Sequence, residues 1–491
     1  MRKGTASTRR SVLSSGLLTG LSLSIVNGAA AVAGALLARK FGRDAETDGF
    51  LAAYGIYLVL VLGAQTFRVV VVPDLTRAVE NGRLATETRA YAVALLVPSI
   101  VLSAAAILAR GPIADMLTAE PDAAAIARRA LPWLVPAAFA QLLAALAASS
   151  LAAAGSYATA AVAYATGAAA NLVLFVVLAD AHGLVSLAWG VAANGAITLA
   201  LPLAALWRRG LLHGGGTAEA AVLRRLRRLV EGAAVPLALQ LLYLVCLRFA
   251  ADLGTGSATI FSYGYLLAAT LVAGTAASLS LVASASLTRR GLDASQAAAY
   301  VVHAAWLSLA VIAAAAGVFA LVGERLVAAV LGPEYSGEVG SDLGRLVVAL
   351  APWMLAATAF SLTFPLLFVT GRDRLLVPLA LVALVVHVPV VWVLRDAFGL
   401  TGTAIALAAT TLAVIAVLQA LIAPRMLVLA AVGLAETVAW IGGFALLAFG
   451  GLGLLVGGIP AALGGIAAYV LLLAVLRPRG MREAWAYARA L

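Results

Sequence analysis

Residues 157–206 read YATAAVAYATGAAANLVLFVVLADAHGLVSLAWGVAANGAITLALPLAAL. Two apolar stretches, 157–179 and 184–206, are separated here by the four residues Asp180-Ala181-His182-Gly183. Each stretch reaches the length of about 20 residues that a helix needs to cross the hydrocarbon core of a bilayer. The segment therefore predicts two membrane-spanning helices joined by a very short polar turn.

The rest of the chain has the same apolar character. Hydrophobic residues make up 64% and charged residues 11% of the sequence, and the mean hydropathy is +1.05. Soluble domains carry about 25% charged residues, so this much apolar surface requires lipid as its solvent. Long apolar runs with short charged breaks favour a helical bundle over an outer-membrane barrel, in which polar and apolar residues alternate.

The apolar runs predict about fourteen spans. The first run is too long for the apolar region of a signal peptide, which covers about 7–15 residues, so we interpret it as a retained span. The last two spans are the least distinct, because the glycine-rich segment 450–458 lies between them. The predicted spans are 12–37, 50–72, 91–109, 131–153, 157–179, 184–206, 232–252, 258–284, 299–322, 346–369, 375–394, 400–423, 435–452 and 459–476.

The charges predict the orientation. The net charge is +11, and most arginines fall in alternate loops that would be cytoplasmic if the N-terminus is inside. This is the positive-inside pattern, and it predicts a multi-pass protein of the bacterial cytoplasmic membrane with both termini in the cytoplasm. Basic residues at span ends give no reason to expect a nucleic-acid partner. A single cysteine, Cys246, excludes a disulfide or a cysteine-based metal framework within one chain.

The second half of the chain repeats the first. Asp180-Ala181-His182-Gly183-Leu184 recurs as Asp396-Ala397-Phe398-Gly399-Leu400, at an offset of 216 residues. Spans one to six thus recur as spans seven to twelve, and an even span number makes the repeats parallel, as in transporters with two like lobes around a central cleft. The predicted fold class is an all-α polytopic membrane protein with two parallel six-helix lobes and two additional C-terminal helices. The predicted divisions are an N-lobe at 1–206, a linker at 207–231, a C-lobe at 232–423, and the last two spans and tail at 424–491.

The linker 207–231 is basic and carries a flexible tract. Four arginines follow His213-Gly214-Gly215-Gly216, and they permit two interpretations. The segment forms a basic surface helix on anionic headgroups, or its charges only fix the topology. These arginines are Arg224, Arg225, Arg227 and Arg228.

This plan resembles the multidrug/oligosaccharidyl-lipid/polysaccharide exporter superfamily, and within it most of all the lipid II flippases of the MurJ type, followed by the O-antigen and teichoic-acid flippases. The similarity covers nearly the whole chain and rests mainly on the arrangement of spans. Locally it is carried by the segment from Phe41-Gly42 to Asp48-Gly49-Phe50, by Val72-Pro73 at the end of span two, by Asn171, and by Gly183-Leu184 with Leu187-Ala188-Trp189-Gly190.

The resemblance implies that spans one, two, seven and eight line a cleft, and it transfers one functional position, Asp48. Two arginines lie within spans, Arg68 in span two and Arg248 in span seven. An arginine pair suits a substrate diphosphate because guanidinium groups bind phosphate oxygens in pairs and stay charged. Alternatively, each arginine extends to the nearest membrane interface. The chain differs from lipid II flippases in having no charged residue in span one and Tyr263-Gly264-Tyr265 where an Asp-Arg pair is expected in span eight.

Other candidates are polar residues at the outer mouth and within spans. Arg39, Lys40 and Arg43 form either an outer gate or a solvated loop. Most of the polar residues within spans are expected to hydrogen-bond neighbouring helices; these residues are Asn27, Gln65, Asn171, Asn194 and Gln240. Asn27, Gln65 and Gln240 are also candidates for the cleft, where Asn27 and Gln240 could contact sugar hydroxyls. His303 and His387 are expected to be satisfied core residues, and no histidine cluster indicates a metal.

The function that these features favour is translocation of a polyprenyl-diphosphate-linked glycan across the membrane by alternating access. The substrate and membrane lipids are the predicted partners, with envelope-synthesis proteins as further candidates, and neither a cofactor nor enzymatic activity is predicted. Two alternatives are a cation-coupled multidrug exporter of the same fold and a non-transporting envelope scaffold. The exporter would need a carboxylate within a span, and both Asp252 and Glu436 are expected at span edges.

Overall fold

The computed structural model describes residues 22, 25–156, 158–212, 219–273, 275, 293–370, 375–476, 478 and 480–483, and in these ranges the chain is almost entirely α-helical, with no strand. The chain divides into two compact units, Met1–Leu244 and Val245–Leu491. An all-α fold built from two units is what the sequence predicts. The predicted lobe boundaries at 206 and 232 are a finer division and stay a prediction.

The first unit contains helices α1 to α7 and most of α8. Helix α5 is its central element and packs against α2, α3, α4 and α7. The bounds are α1 (25–41), α2 (Ala45–Glu80), α3 (Leu84–Leu108), α4 (Arg110–Leu117), α5 (Pro121–Ala153), α6 (Ala158–His182), α7 (Val185–Arg208) and α8 (Glu219–Ala251).

The second unit continues from the end of α8. Helix α10 packs against α11, α12, α14 and α16. The bounds are α9 (Ser257–Val272), α10 (Ala294–Leu331), α11 (Glu338–Ala349), α12 (Ala351–Thr370), α13 (Leu376–Ile422), α14 (Pro424–Ala445), α15 (Gly451–Leu455) and α16 (Gly458–Leu476), with a 3₁₀ turn at Pro333–Tyr335 and a π-helical turn at Leu446–Gly450.

Among the described residues, nine helices are long and apolar enough to cross a membrane, or ten if α11 and α12 are counted as one bent span. Parts of the predicted spans 12–37 and 258–284 lie outside the described residues. In the predicted span 50–72 the backbone is described, but the side chains of residues 62–70 are not. Helix α13 contains two predicted spans and is broken at Gly399, where φ is 60°. The glycine adopts this left-handed conformation at no steric cost. Two helical segments, one for each predicted span, therefore meet at Gly399.

Two predicted outer loops, 110–130 and 323–345, are helical instead. The first contains α4 and the start of α5, and the second contains the end of α10 and most of α11. Helix α11 buries Leu343, Leu346 and Val347 on one face. Hydropathy alone missed these helices because one polar face keeps their mean hydropathy below that of a span.

The basic end of the linker belongs to the same helix as span seven. Helix α8 runs without a break over 33 residues and passes through both Gly232 and Pro236. A separate surface helix is therefore not formed. Within the described residues, the predicted linker contributes a helical extension of a span.

Helices α6 and α7 are joined by reciprocal contacts between asparagine and glycine. The side-chain oxygen of Asn171 lies against Gly190, and that of Asn194 lies against Gly167, so neither glycine has room for a Cβ atom. Both asparagine oxygens are buried without a hydrogen-bond partner. The expectation that these asparagines hydrogen-bond a neighbouring helix stays a prediction, since their amide nitrogens are not among the buried atoms without a partner.

Candidate functional site

The predicted cleft residues are distributed over three helices. Arg68 and Gln65 lie in α2, but their side chains lie outside the described residues. Asn27 is exposed on α1, and Gln240 is half-buried on α8. All four residues belong to the first unit, and their grouping in one cleft stays a prediction.

Asp48 is buried in the first turn of α2, with 8% of its surface exposed. Asp44 caps the helix, and its carboxylate accepts a hydrogen bond from the backbone N–H of Thr47 at 2.8 Å. Gly49, the residue after Asp48, touches the backbone of Ala123 in α5 so closely that a Cβ atom would overlap it. Asp48 is therefore fixed by the packing of α2 on α5, and the position transferred from the resemblance is a buried carboxylate at a helix N-terminus.

Arg248 is already paired with a carboxylate of its own unit. Its guanidinium forms an ion pair with Asp252 one turn further along α8. The other oxygen of Asp252 lies 3.4 Å from Arg395, whose guanidinium stacks 5.6 Å from the ring centroid of Phe249. A phosphate that binds Arg248 must compete with Asp252, and the arginine clamp of Arg68 and Arg248 stays a prediction.

Lys40 of the predicted outer gate forms an ion pair within the first unit. Lys40 at the end of α1 pairs with Asp180 near the end of α6. In the sequence repeat these positions correspond to Asp252 and Asp396, at offsets of 212 and 216 residues. An ion pair thus joins the end of span one to the end of span five, and another joins the end of span seven to the end of span eleven, the corresponding spans of the repeat. The charges are exchanged between the two: the basic residue follows span one in the first pair, as Lys40, and span eleven in the second, as Arg395. Arg39 is exposed and Arg43 is half-buried.

An ion-pair network that sequence analysis missed joins three helices at the predicted inner end of the first unit. Arg225 of α8 pairs with Glu87 of α3 and lies 3.7 Å from Asp74 of α2. Asp74 also accepts a hydrogen bond from Arg228 at 2.9 Å and one from the hydroxyl of Tyr91 at 2.6 Å. The network thus holds the first turns of α8 against α2 and α3.

The network is largely shielded from solvent. The side chains of Arg225, Asp74 and Glu87 are 15%, 12% and 16% exposed. The guanidinium of Arg225 also stacks on the ring of Tyr91, 5.3 Å from its centroid. In the sequence these arginines were interpreted only as topological or headgroup-binding charges, since nothing in the local pattern indicates that Asp74 and Glu87 lie next to them.

The second unit contains a fully buried polar cluster. The ring of His387 in α13 has a partner at each nitrogen: Cys246 Sγ lies 3.3 Å from Nε2, and Thr410 Oγ1 lies 2.9 Å from Nδ1. His387 and Cys246 are both 0% exposed. The expectation that His387 is a satisfied core residue is confirmed. No group of three or more His, Cys, Asp or Glu residues that could hold a metal ion occurs in the described ranges.

Glu436 lies within a longer helix than the sequence predicts, and its expected place at the edge of a span stays a prediction. It lies in the interior of α14, in a helical run that continues to Leu455, and its side chain is exposed. The apolar helix begins at Pro424, about ten residues before the predicted start of span thirteen. The reason is that Glu436 interrupts the hydropathy of the run without interrupting its helical backbone.

Known proteins with similar sequences or structures agree with this architecture. Residues 78–177 match the MatE family, and no curated protein matches the sequence. The lipid II flippase MurJ in its inward closed conformation is 12% identical, with a TM-score of 0.72 over 94% of this chain and 98% of that one. An inward-facing multidrug resistance MATE family transporter has a TM-score of 0.64 at 15% identity over 83% of this chain and 95% of that one. A transporter from Pyrococcus furiosus has a TM-score of 0.61 at 14% identity over 85% and 96%.

The helices and these similarities define the chain as a polytopic α-helical membrane protein with a transporter fold. More particularly, its fold is that of the multidrug/oligosaccharidyl-lipid/polysaccharide exporter superfamily, to which the sequence is similar over the MatE match as well. The resemblance inferred from the span plan is confirmed.

Proposed function

We propose that this chain is a flippase that moves a polyprenyl-diphosphate-linked glycan across the bacterial cytoplasmic membrane by alternating access. The observation that supports this most is the extent of the structural similarity. The lipid II flippase aligns with 94% of the chain, whereas the MATE transporter aligns with 83%. A lipid II-like peptidoglycan precursor and a polysaccharide repeat unit are the two candidate substrates within this class.

The charges that could bind such a substrate are arginines. Arg68 and Arg248 would bind the diphosphate, and Asn27, Gln65 and Gln240 would contact the sugars. In this proposal Asp252 holds Arg248 in place when no substrate is bound, because the same guanidinium cannot fully pair with both a carboxylate and a phosphate. Both termini would lie in the cytoplasm, as the distribution of basic loops predicts.

A cation-coupled multidrug exporter is the alternative. Such exporters need a carboxylate that is sheltered between spans. Among the described residues, Asp48 is a buried carboxylate at the start of α2, and Glu436 lies within a helix but is exposed. Asp48 is therefore the carboxylate on which the exporter hypothesis depends among the described residues, and Asp48→Asn should abolish drug export if the alternative is correct.

The direct test is depletion of the protein in its host, followed by mass spectrometry of lipid-linked intermediates. Accumulation of one polyprenyl-diphosphate glycan, reversed by the wild-type chain, would support the flippase and identify its substrate. Unchanged intermediates together with increased sensitivity to toxic compounds would support drug export. Unchanged intermediates with normal sensitivity would leave only the scaffold among the three hypotheses.

A further inference from the structure

Helices α10 and α11 of the second unit cross with their backbones in contact. A Cβ atom on Gly323 would lie 3.1 Å from the Cα atom of Gly344, so no side chain separates the two helices at this point. The crossing lies directly beside a break in α10, where Val322 has φ −135° and ψ 15°. A cavity of about 340 Å³ is present at the crossing.

The cavity contains one acidic and one basic side chain, and each follows one of the two crossing glycines. Glu324 comes directly after Gly323, and Arg345 comes directly after Gly344. The crossing therefore brings opposite charges from two helices into one cavity, together with the hydroxyl of Ser341. The apolar part of the lining includes Phe319, Leu321 and Val348.

Both charged groups retain capacity for further hydrogen bonds. One carboxylate oxygen of Glu324 accepts a hydrogen bond from the backbone N–H of Gly337 at 3.0 Å, and a carboxylate can accept about four in all. Arg345 donates to Ser341 at 3.0 Å and lies 3.7 Å from Asp342. Its side chain is 74% exposed, and a guanidinium has five N–H donors.

The cavity lies where the charged pair Glu324-Arg325 interrupts the apolar sequence of α10, which resumes at Leu326. Residues 310–322 are AVIAAAAGVFALV, and the next three are Gly323-Glu324-Arg325. An interruption of this kind marks the level of the lipid headgroups at the end of a span. A ligand at this level would have a polar head beside Glu324 and Arg345 and an apolar body beside Phe319 and Leu321.

We infer that the cavity between α10 and α11 binds the headgroup of a membrane phospholipid that carries both a phosphate and a primary ammonium group, such as phosphatidylethanolamine. Arg345 binds the phosphate, for which the guanidinium is well suited. Glu324 accepts a hydrogen bond from the ammonium group. Discrimination follows from this second contact, because the quaternary ammonium group of phosphatidylcholine has no N–H to donate. The inference does not depend on the substrate that the protein transports.

The test uses the full chain in nanodiscs that contain equal amounts of phosphatidylethanolamine, phosphatidylcholine and phosphatidylglycerol. After transfer to detergent, native mass spectrometry counts the lipids that stay bound. The wild type should retain phosphatidylethanolamine several-fold above phosphatidylcholine. Glu324→Gln should remove this preference, because the neutral amide has only one acceptor oxygen and no charge to attract the ammonium group. The amide is nearly isosteric and can still accept the hydrogen bond from Gly337, so the local structure should be kept. Arg345→Gln should lower the retention of both lipids.

Glu338→Gln is the matched control, because this exposed carboxylate lies on the same helix as Arg345 but does not line the cavity. It should retain lipids as the wild type does, and thermal unfolding confirms that every variant is folded. Equal retention of the two lipids by the wild type would overturn the inference. So would an unchanged preference in Glu324→Gln.

Discussion

At the scale of single residues, arginine has different roles in three places that the sequence does not distinguish. Arg224 is exposed, Arg225 is largely buried against Glu87 and Asp74, and Arg248 is paired with Asp252 at the end of the same helix. Neighbouring helices determine the difference between Arg224 and Arg225, whereas the partner of Arg248 lies four residues further along its own helix. A buried guanidinium requires carboxylate partners, whereas an exposed one is satisfied by water or headgroups.

Substitution of Arg225 by alanine should lower the free energy of unfolding by about 1–3 kcal/mol, because it removes charge-assisted hydrogen bonds and leaves two shielded carboxylates close together. Arg224→Ala is the control, since it removes the same charge from the adjacent exposed position. Thermal unfolding of both purified variants measures the difference. Equal stability of the two variants would show that the network contributes nothing.

The proposed diphosphate contacts are also a residue-scale question. The double variant Arg68→Ala/Arg248→Ala should lose translocation of the lipid-linked glycan while it is expressed and inserted at the wild-type level. Complementation of a depleted host measures activity, and quantitative blotting of membranes measures expression. Arg83→Ala is the comparison, since it removes an exposed arginine that belongs to neither the clamp nor the predicted outer gate. Full activity of the double variant would eliminate the clamp.

At the scale of helices, glycine determines how closely the spans pack. Gly190 and Gly167 admit asparagine side chains at the contact between α6 and α7, and Gly323 and Gly344 let α10 and α11 touch. Small residues at such positions are the usual means by which helices approach each other in lipid, where apolar surface alone gives no driving force.

Gly190→Ala should therefore be destabilising by about 1–3 kcal/mol, because the added Cβ atom would lie 2.7 Å from the backbone oxygen of Asn171. Gly442→Ala in α14 is a suitable control, because nothing lies within 4 Å of its added Cβ atom. It should be neutral or slightly stabilising, as alanine is the better helix former. Thermal unfolding in detergent distinguishes the two, and equal effects would refute the packing argument.

At the scale of the whole molecule, orientation in the membrane is the main prediction that depends on charge. Glu338→Cys in α11 should react with an impermeant maleimide added outside intact cells. Arg209→Cys at the end of α7 should react only after the membrane is permeabilised. The native Cys246 is buried and gives no background labelling. The reverse pattern would contradict the positive-inside assignment.

The sequence determined the solvent, the fold class and the internal repeat, because apolar run length, charge placement and the DAHGL–DAFGL correspondence are local properties of the chain. It did not predict α11, because mean hydropathy does not separate an amphipathic helix from a loop. It also missed the continuity of α8 and the place of Glu436 inside α14, because charged residues end an apolar run in the sequence without ending the helix. The partners of Arg225 and His387 were decided only by tertiary structure. Each of these contacts joins residues on different helical segments that are distant in sequence. Such pairing depends on which helix faces are adjacent.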